Sequence, residues 1–211
     1  AVLIVSGTRC ADFDKIVGQI TGIPLEVIVT HMHPDHAGCI KYFDKVWMHR
    51  ADTVLVPQHA ADYQGEFLYM EEGQVGDLGG RKLEVAGMPG HTPGSVVLLD
   101  KANGDCYSGD AFGSGEVWLQ CVPMSPIATF HESCCRMEKL MKEGHIKDIW
   151  CGHYPYLKSS LPLAYIQTMI RISHRLMNGD QEGSEPYSNY FIKMPPTARK
   201  LAEGRAMIVY D

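Results

Sequence analysis

The chain has 211 residues, 19 Lys and Arg against 25 Asp and Glu, a formal charge of −6 and 45% hydrophobic residues. This length and composition suit one globular domain with a sizeable core, and no apolar run is long enough to cross a bilayer. The scattered basic residues form no electrostatic footprint for nucleic acid, so a small-molecule substrate is expected, with neither nucleic acid nor membrane as partner; a homo-oligomer is compatible with the composition.

The elements alternate along the chain. Ala1 to Val5 is β-branched and apolar with no basic segment before it, and reads as a strand rather than a signal peptide. Phe13, Ile16, Val17 and Ile20 fall at helical spacing, with Asp12 as N-cap and Gly22 near the stop. "LEVIVT" is a strand ending at His31, "KVWMH" is another, and residues 51 to 64 are partly helical around Pro57. "RKLEVAGMPG", "SVVLLDKANGDCYSG" and "IKDIWCG" are strand-like, and Asn103-Gly104 between apolar runs predicts a hairpin. Cys134, Met137, Leu140 and Met141 predict a helix stopping at Gly144, and Ile166, Met169, Ile170 and Met177 a longer one ending near Asn178-Gly179. "NYFIKM" and "AMIVY" are strand candidates in the tail. The pattern is a mixed α/β chain in which helices cover two layers of sheet, read as a single domain over 1–211 with a helix and tail from about 160 to 211.

The seven cysteines, Cys10, Cys39, Cys106, Cys121, Cys134, Cys135 and Cys151, are odd in number and contain no Cys-x-x-Cys. They argue against a disulfide framework and for a reducing, cytoplasmic setting. Most read as small core residues; Cys39 and Cys151 lie near the histidine clusters, where a cysteine could line a pocket.

The chemistry concentrates in "THMHPDHAG". His31 and His33 are two apart in extended chain and project to the same side. Asp35 and His36 follow past Pro34, where the chain turns. Imidazole and carboxylate are good zinc ligands, with bonds of about 2.0–2.2 Å, and packing four such groups together without a cation would leave polar atoms competing for partners. Three further candidates share one context: His91, Asp110 and His153 each come after an apolar strand and a glycine. Glycine lets the backbone turn and approach other groups closely there. Strand ends on one edge of a sheet would bring all seven to one pocket.

In "THMHPDHAG", "GMPGHTPGS", "YSGDAF" and "CGHYP", in that order over residues 26 to 155, the chain resembles the metallo-β-lactamase superfamily. The resemblance implies an αββα four-layer sandwich with metals on one edge. It implies that His31, His33 and His91 hold one metal, that Asp35, His36 and His153 hold a second, and that Asp110 bridges both. His49, His59, His131, His145 and His174 match no motif and read as surface or core residues.

Such a site suits two zinc ions, although iron or manganese would also fit. Two zinc ions about 3.5–4 Å apart share a water or hydroxide that attacks a carbonyl without a protein nucleophile. Asp35 is placed to hydrogen-bond and aim that hydroxide. Tyr154 is the candidate donor to the developing oxyanion, against the plainer reading that its ring packs under the next segment; Tyr156 is an equal candidate for the pocket. The expected function is a zinc-dependent hydrolase of an ester-like, thioester, lactone or lactam carbonyl. Its rivals are a single-iron sulfur dioxygenase-like enzyme and a metal-binding protein without turnover. In related diiron oxidases a glutamate stands where His33 stands here, which favours hydrolysis. Thioester hydrolysis of the glyoxalase II kind is one option, although that enzyme type carries a larger helical C-terminal part.

Two departures from the family stand out. Members usually have one or more strands before the one that "AVLIV" resembles, so the N-terminal strands are expected to be absent and the first sheet to be short or to expose an edge, unless the tail strands cover it. The family's turn commonly places an aspartate where Val5 precedes Ser6-Gly7.

Overall fold

The computed structural model describes residues 1–121, 123, 125–190 and 194–211. Its first sheet is parallel and runs in chain order through β1 (Val2–Ile4), β2 (Glu26–Ile28), β3 (Lys45–His49) and β4 (Glu66–Met70). The connections carry α1 (Phe13–Ile20), α2 (Pro34–Ala37), a 3₁₀ turn at Arg50–Leu55 and α3 (Val56–His59). β5 (Val75–Asp77), β6 (Lys82–Gly87), β7 (Val96–Asp100) and β8 (Asp105–Gly109) form an antiparallel second sheet. The chain leaves it for β9 (Glu116–Trp118) and α4 (Ile127–Lys142), then returns in β10 (Asp148–Cys151), parallel to β8. α5 (Tyr154–Leu157) and α6 (Leu163–Met177) follow. β11 (Glu185–Pro186), β12 (Arg199–Glu203) and β13 (Ala206–Tyr210) then make a third sheet in which β13 lies parallel to β9.

Alternation along the strands sorts side chains between three cores. In β7, Val96 and Leu98 face the first sheet, where they meet Met70, Ile4, Ile28 and Trp47. Val97 and Leu99 face the other way, into a core closed by Phe130, Met137, Ile166, Met169 and Ile208. Successive strand residues point to opposite faces, so a one-residue slip of β7 would exchange both sets. Each of these four buried side chains contributes about 1.5–3 kcal/mol, which fixes the register. On the outer face of the first sheet, Val27, Val46 and Met48 pack beneath Met32, Ala37, Ile40 and Leu55. Helix, sheet, sheet, helix is the αββα sandwich expected from the sequence.

Several local expectations are corrected. Asp12 occupies the N-cap position of α1 but is left-handed (φ 54°) and makes no side-chain cap; its carboxylate pairs with Lys15 Nζ at 2.8 Å. The tail strand "AMIVY" forms as β13, and β12 joins it; they build the third sheet against β9 and do not pair with β1. Residues 191–193 of "NYFIKM" lie outside the described residues. β1 is an edge strand of its sheet.

Where the family's aspartate would stand, Val5 adopts φ 62°. A left-handed conformation costs an L-residue about 1–2 kcal/mol, and β-branching makes it a true outlier. The kink is held at both ends. Val5 N–H donates to Ile28 O at 2.7 Å, and the Ser6 N–H and hydroxyl both donate to His36 O, at 2.7 and 3.1 Å. The strain thus serves to clasp α2. Val5→Asn, which tolerates this region, should raise Tm by about 2–4 °C for roughly 1 kcal/mol regained; a fall in Tm on thermal denaturation would mean that the packing of the valine outweighs its strain.

Candidate metal centre

The seven donors arrive at one edge from the ends of four strands. His31 and His33 follow β2, Asp35 and His36 ride on α2, His91 follows β6, Asp110 follows β8 and His153 follows β10. Thr30 O, just before His31, accepts from Val96 N at 2.9 Å, so the two sheets are stitched together beside the site. Gly152 is required there: a Cβ would run into the His36 ring and the Asp110 carboxylate.

The donor atoms fall into two groups, each within 4.8 Å: His31, His33 and His91; and Asp35, His36, Asp110 and His153. Asp110 Oδ2 lies 3.0 Å from His153 Nε2, 3.3 Å from His36 Nε2 and 3.9 Å from His91 Nε2, and so reaches toward both. His153 Nε2 is 3.2 Å from Asp35 Oδ2. His33 Nδ1 faces His91 Nε2 at 2.9 Å. His91 Nδ1 donates to Trp118 O at 2.8 Å, leaving the Nε2 lone pair directed into the site. Buried His31 Nε2, both ring nitrogens of His36 and Asp110 Oδ1 have no aligned hydrogen-bond partner. Orphaned buried atoms that converge, all of them nitrogen or carboxylate oxygen, fit divalent ions such as zinc or iron.

The two groups differ in charge. Burial, reinforced by neighbouring imidazoles, holds the His31 pKa well below the usual range; burial lowers His33 to about 3 and also lowers His91. The first group is therefore three neutral imidazoles. In the second, burial opposes ionisation of Asp35 and Asp110, but the close contacts of His153 and the ion pairs with His36 outweigh it and keep both carboxyls well below the usual range. Asp110 and then Asp35 push His153 up to about 10. Burial works against His36, yet the same carboxylates raise it to about 9.

Of the residues expected at the site, Tyr154 is 42% exposed, with its ring centroid 5.8 Å from that of Trp150. The Tyr156 ring lies 5.8 Å from that of His153. His49, His131, His145 and His174 contact Ala51, Ser173, Glu143 and Asn178 respectively, away from the cluster. His59 does not stay apart: it stands perpendicular to His33 with ring centroids 5.7 Å apart. No spacing in the sequence marks it, because α3 delivers it from a separate turn. Cys39 and Cys151 are buried in packing contacts. Two cysteines feel the site: Cys151, raised by burial and then by Asp110, and Cys121, raised to about 11 by burial and then by Asp35 and Asp110. All seven cysteines are free thiols. Among the described residues, no helix is long and apolar enough to cross a membrane.

Comparison with known proteins gives this edge a context. A family profile described as "Metallo-beta-lactamase superfamily" matches residues 24–131, about half of the chain. "Acyl-coenzyme A thioesterase MBLAC2" of Homo sapiens is 28% identical over 158 residues, covering 62% of this chain and 56% of that protein. "Hydroxyacylglutathione hydrolase" of Aeromonas salmonicida (strain A449) is 27% identical over 159 residues, covering 73% and 58%. The chain thus spans little more than half the length of these relatives. Among solved structures, TTHA1623 in a di-iron-bound form superposes with a TM-score of 0.60 at 27% identity, covering 77% of this chain and 84% of that one.

The raised imidazoles set a pH signature. In metal-stripped protein His36 and His153 hold protons at neutral pH that a cation must displace. Metal binding at pH 7.5 should therefore release about two protons from this group, read by calorimetry in buffers of different ionisation enthalpy. Because these pKa values lie above the unfolded value near 6.5, their stabilisation is complete below about pH 6.5 and is lost as pH rises through about 9 to 10. The metal-stripped Tm should fall over that window. Binding without proton release, or a flat alkaline Tm, would contradict this assignment.

Proposed function

As the chain belongs to the metallo-β-lactamase superfamily, we propose that it is a metal-dependent hydrolase whose substrate is a small-molecule thioester. The observation that carries this reading is the pair of adjacent donor groups, seven imidazole and carboxylate ligands at one edge. His31, His33 and His91 would hold one ion, Asp35, His36 and His153 the other, with Asp110 between them; the donor set suits zinc, and iron also fits. Ions held by these residues would lower the pKa of a bound water and polarise a carbonyl. A second complete donor group supports this over a reaction that needs one iron. Two sets of relatives, named for acyl-coenzyme A thioesters and for hydroxyacylglutathione, share the thioester as the bond cleaved.

The chain's own residues have separable tasks. Asp35 is partly exposed and held ionised by His153 and His36; it is the hydrogen-bond acceptor that orients the attacking water. The Trp118 carbonyl fixes the tautomer of His91. Tyr154 is the proposed hydroxyl donor to the developing oxyanion, with Tyr156 as the comparison because its ring lies beside His153.

The test is release of free thiol from acetyl-coenzyme A, longer acyl-coenzyme A and S-lactoylglutathione, beside lactone, β-lactam and phosphodiester substrates, on zinc-loaded protein. Metal-dependent thiol release is expected, falling by at least ~100-fold in Asp110→Ala and by about 100-fold in kcat in Tyr154→Phe with metal content unchanged. Turnover of another substrate class with thioesters untouched would overturn the thioester reading. Two bound ions with no turnover of any would favour a binding protein. An unchanged kcat in Tyr154→Phe but not Tyr156→Phe would move the donor role to Tyr156.

A further inference from the structure

Asp52 is a carboxylate only 1% exposed, in the 3₁₀ turn after β3. Among the described residues it forms no ion pair, which is a costly state for a buried carboxylate unless hydrogen bonds compensate it. Three do. Asp52 Oδ2 accepts from Met32 N at 2.9 Å and from Thr92 Oγ1 at 3.0 Å, and Oδ1 accepts from Gly94 N at 2.6 Å. The partners are not scattered. Met32 is the residue between His31 and His33, Thr92 directly follows His91, and Gly94 closes the same turn. One side chain thus spans the two chain segments that carry every donor of the first group. Thr92 is held in turn by Ser95, whose hydroxyl lies 2.9 Å from Thr92 Oγ1 and accepts from Thr92 N at 3.1 Å. Gly94 leaves the room: a Cβ there would sit 2.6 Å from Asp52 Oδ1.

The charge of this carboxylate also has a use. The second donor group contains two carboxylates, whereas the first contains three imidazoles and none. Beyond the three imidazoles the first ion would have only a share of Asp110, and a fixed anion in the next layer offsets more of its buried charge. We propose that Asp52 is the positioning residue of the first metal site: it locks the His31–His33 segment to the His91 turn and adds anionic charge behind a ligand set whose one carboxylate, Asp110, is shared. This rests on the two-ion reading of the centre.

Asp52→Asn preserves shape but turns one accepting oxygen into an NH₂ that faces N–H or O–H donors, and it removes the charge. Thr92→Val is the milder variant, removing one hydrogen bond and leaving the carboxylate. Zinc alone is the probe, titrated against a chromophoric chelator, with thermal denaturation of the metal-stripped proteins alongside. The wild type should bind two ions. Asp52→Asn should weaken one of them by about 10–100-fold and leave the other, and Thr92→Val should weaken the same ion by a smaller factor. In a His33→Ala background, which already lacks the first site, Asp52→Asn should leave the remaining ion's affinity unchanged. Two ions at wild-type affinity in Asp52→Asn, or equal weakening of both that tracks a loss of metal-free Tm, would reduce Asp52 to a fold anchor and overturn the proposal. If Asp52→Asn fails to fold, Thr92→Val decides by the same criterion. A wild-type chain that binds fewer than two ions would instead overturn the two-ion reading itself.

Discussion

Seven imidazole and carboxylate groups crowd the edge where two sheets end, and several of their polar atoms are buried without an aligned partner. A buried polar atom left unpaired costs about 1–3 kcal/mol, so the edge is tolerable to the fold only if the atoms share a task. A cation is the partner that such convergence serves, since it accepts several lone pairs at once. The rest of the architecture reads as what is needed to hold that edge. The three apolar cores fix strand registers to the residue, and the strand ends then deliver each donor to a set place.

The two donor groups are electrostatically unlike although they share Asp110. One is neutral because burial suppresses protonation of His31, His33 and His91. The other balances two carboxylates against two raised imidazoles. In such a pair the carboxylate-rich group draws the cation, and the imidazole group, whose one carboxylate is the shared Asp110, gains from further charge nearby. Asp52, buried behind the His31–His33 segment, is placed to give it. The clasp of Ser6 on the His36 carbonyl, through strained Val5, fixes the backbone that carries the second group but adds no charge.

Much of this was legible in the sequence, for a physical reason. A ligand that must sit at a strand end needs an apolar run before it and often a glycine beside it, and both are local signals. His31, His33, His91, Asp110 and His153 all carry at least one of them. The β7–β8 turn was legible through Asn103-Gly104, where Gly104 has φ 79°. What escaped was non-local. The Trp118 carbonyl that orients His91 is a backbone group with no sequence signature. His59 and Asp52 look like ordinary residues of a helical turn until the fold brings His33, Met32 and Thr92 to them. Of the tail, "AMIVY" was legible as a strand, whereas β12, Arg199–Glu203, and the partner β9 were not, since β12 carries charged residues at both ends and β9 is only three residues long and lies far away in the chain.

The two-ion reading proposed here places one metal ion in each donor group. Anomalous diffraction from crystals grown with zinc, with data on both sides of the zinc absorption edge, tests it without reference to any substrate. Two peaks per chain are expected, one among His31, His33 and His91 and one among Asp35, His36 and His153, with Asp110 between them. A single peak, or peaks at other residues while these side chains stay unliganded, would contradict it.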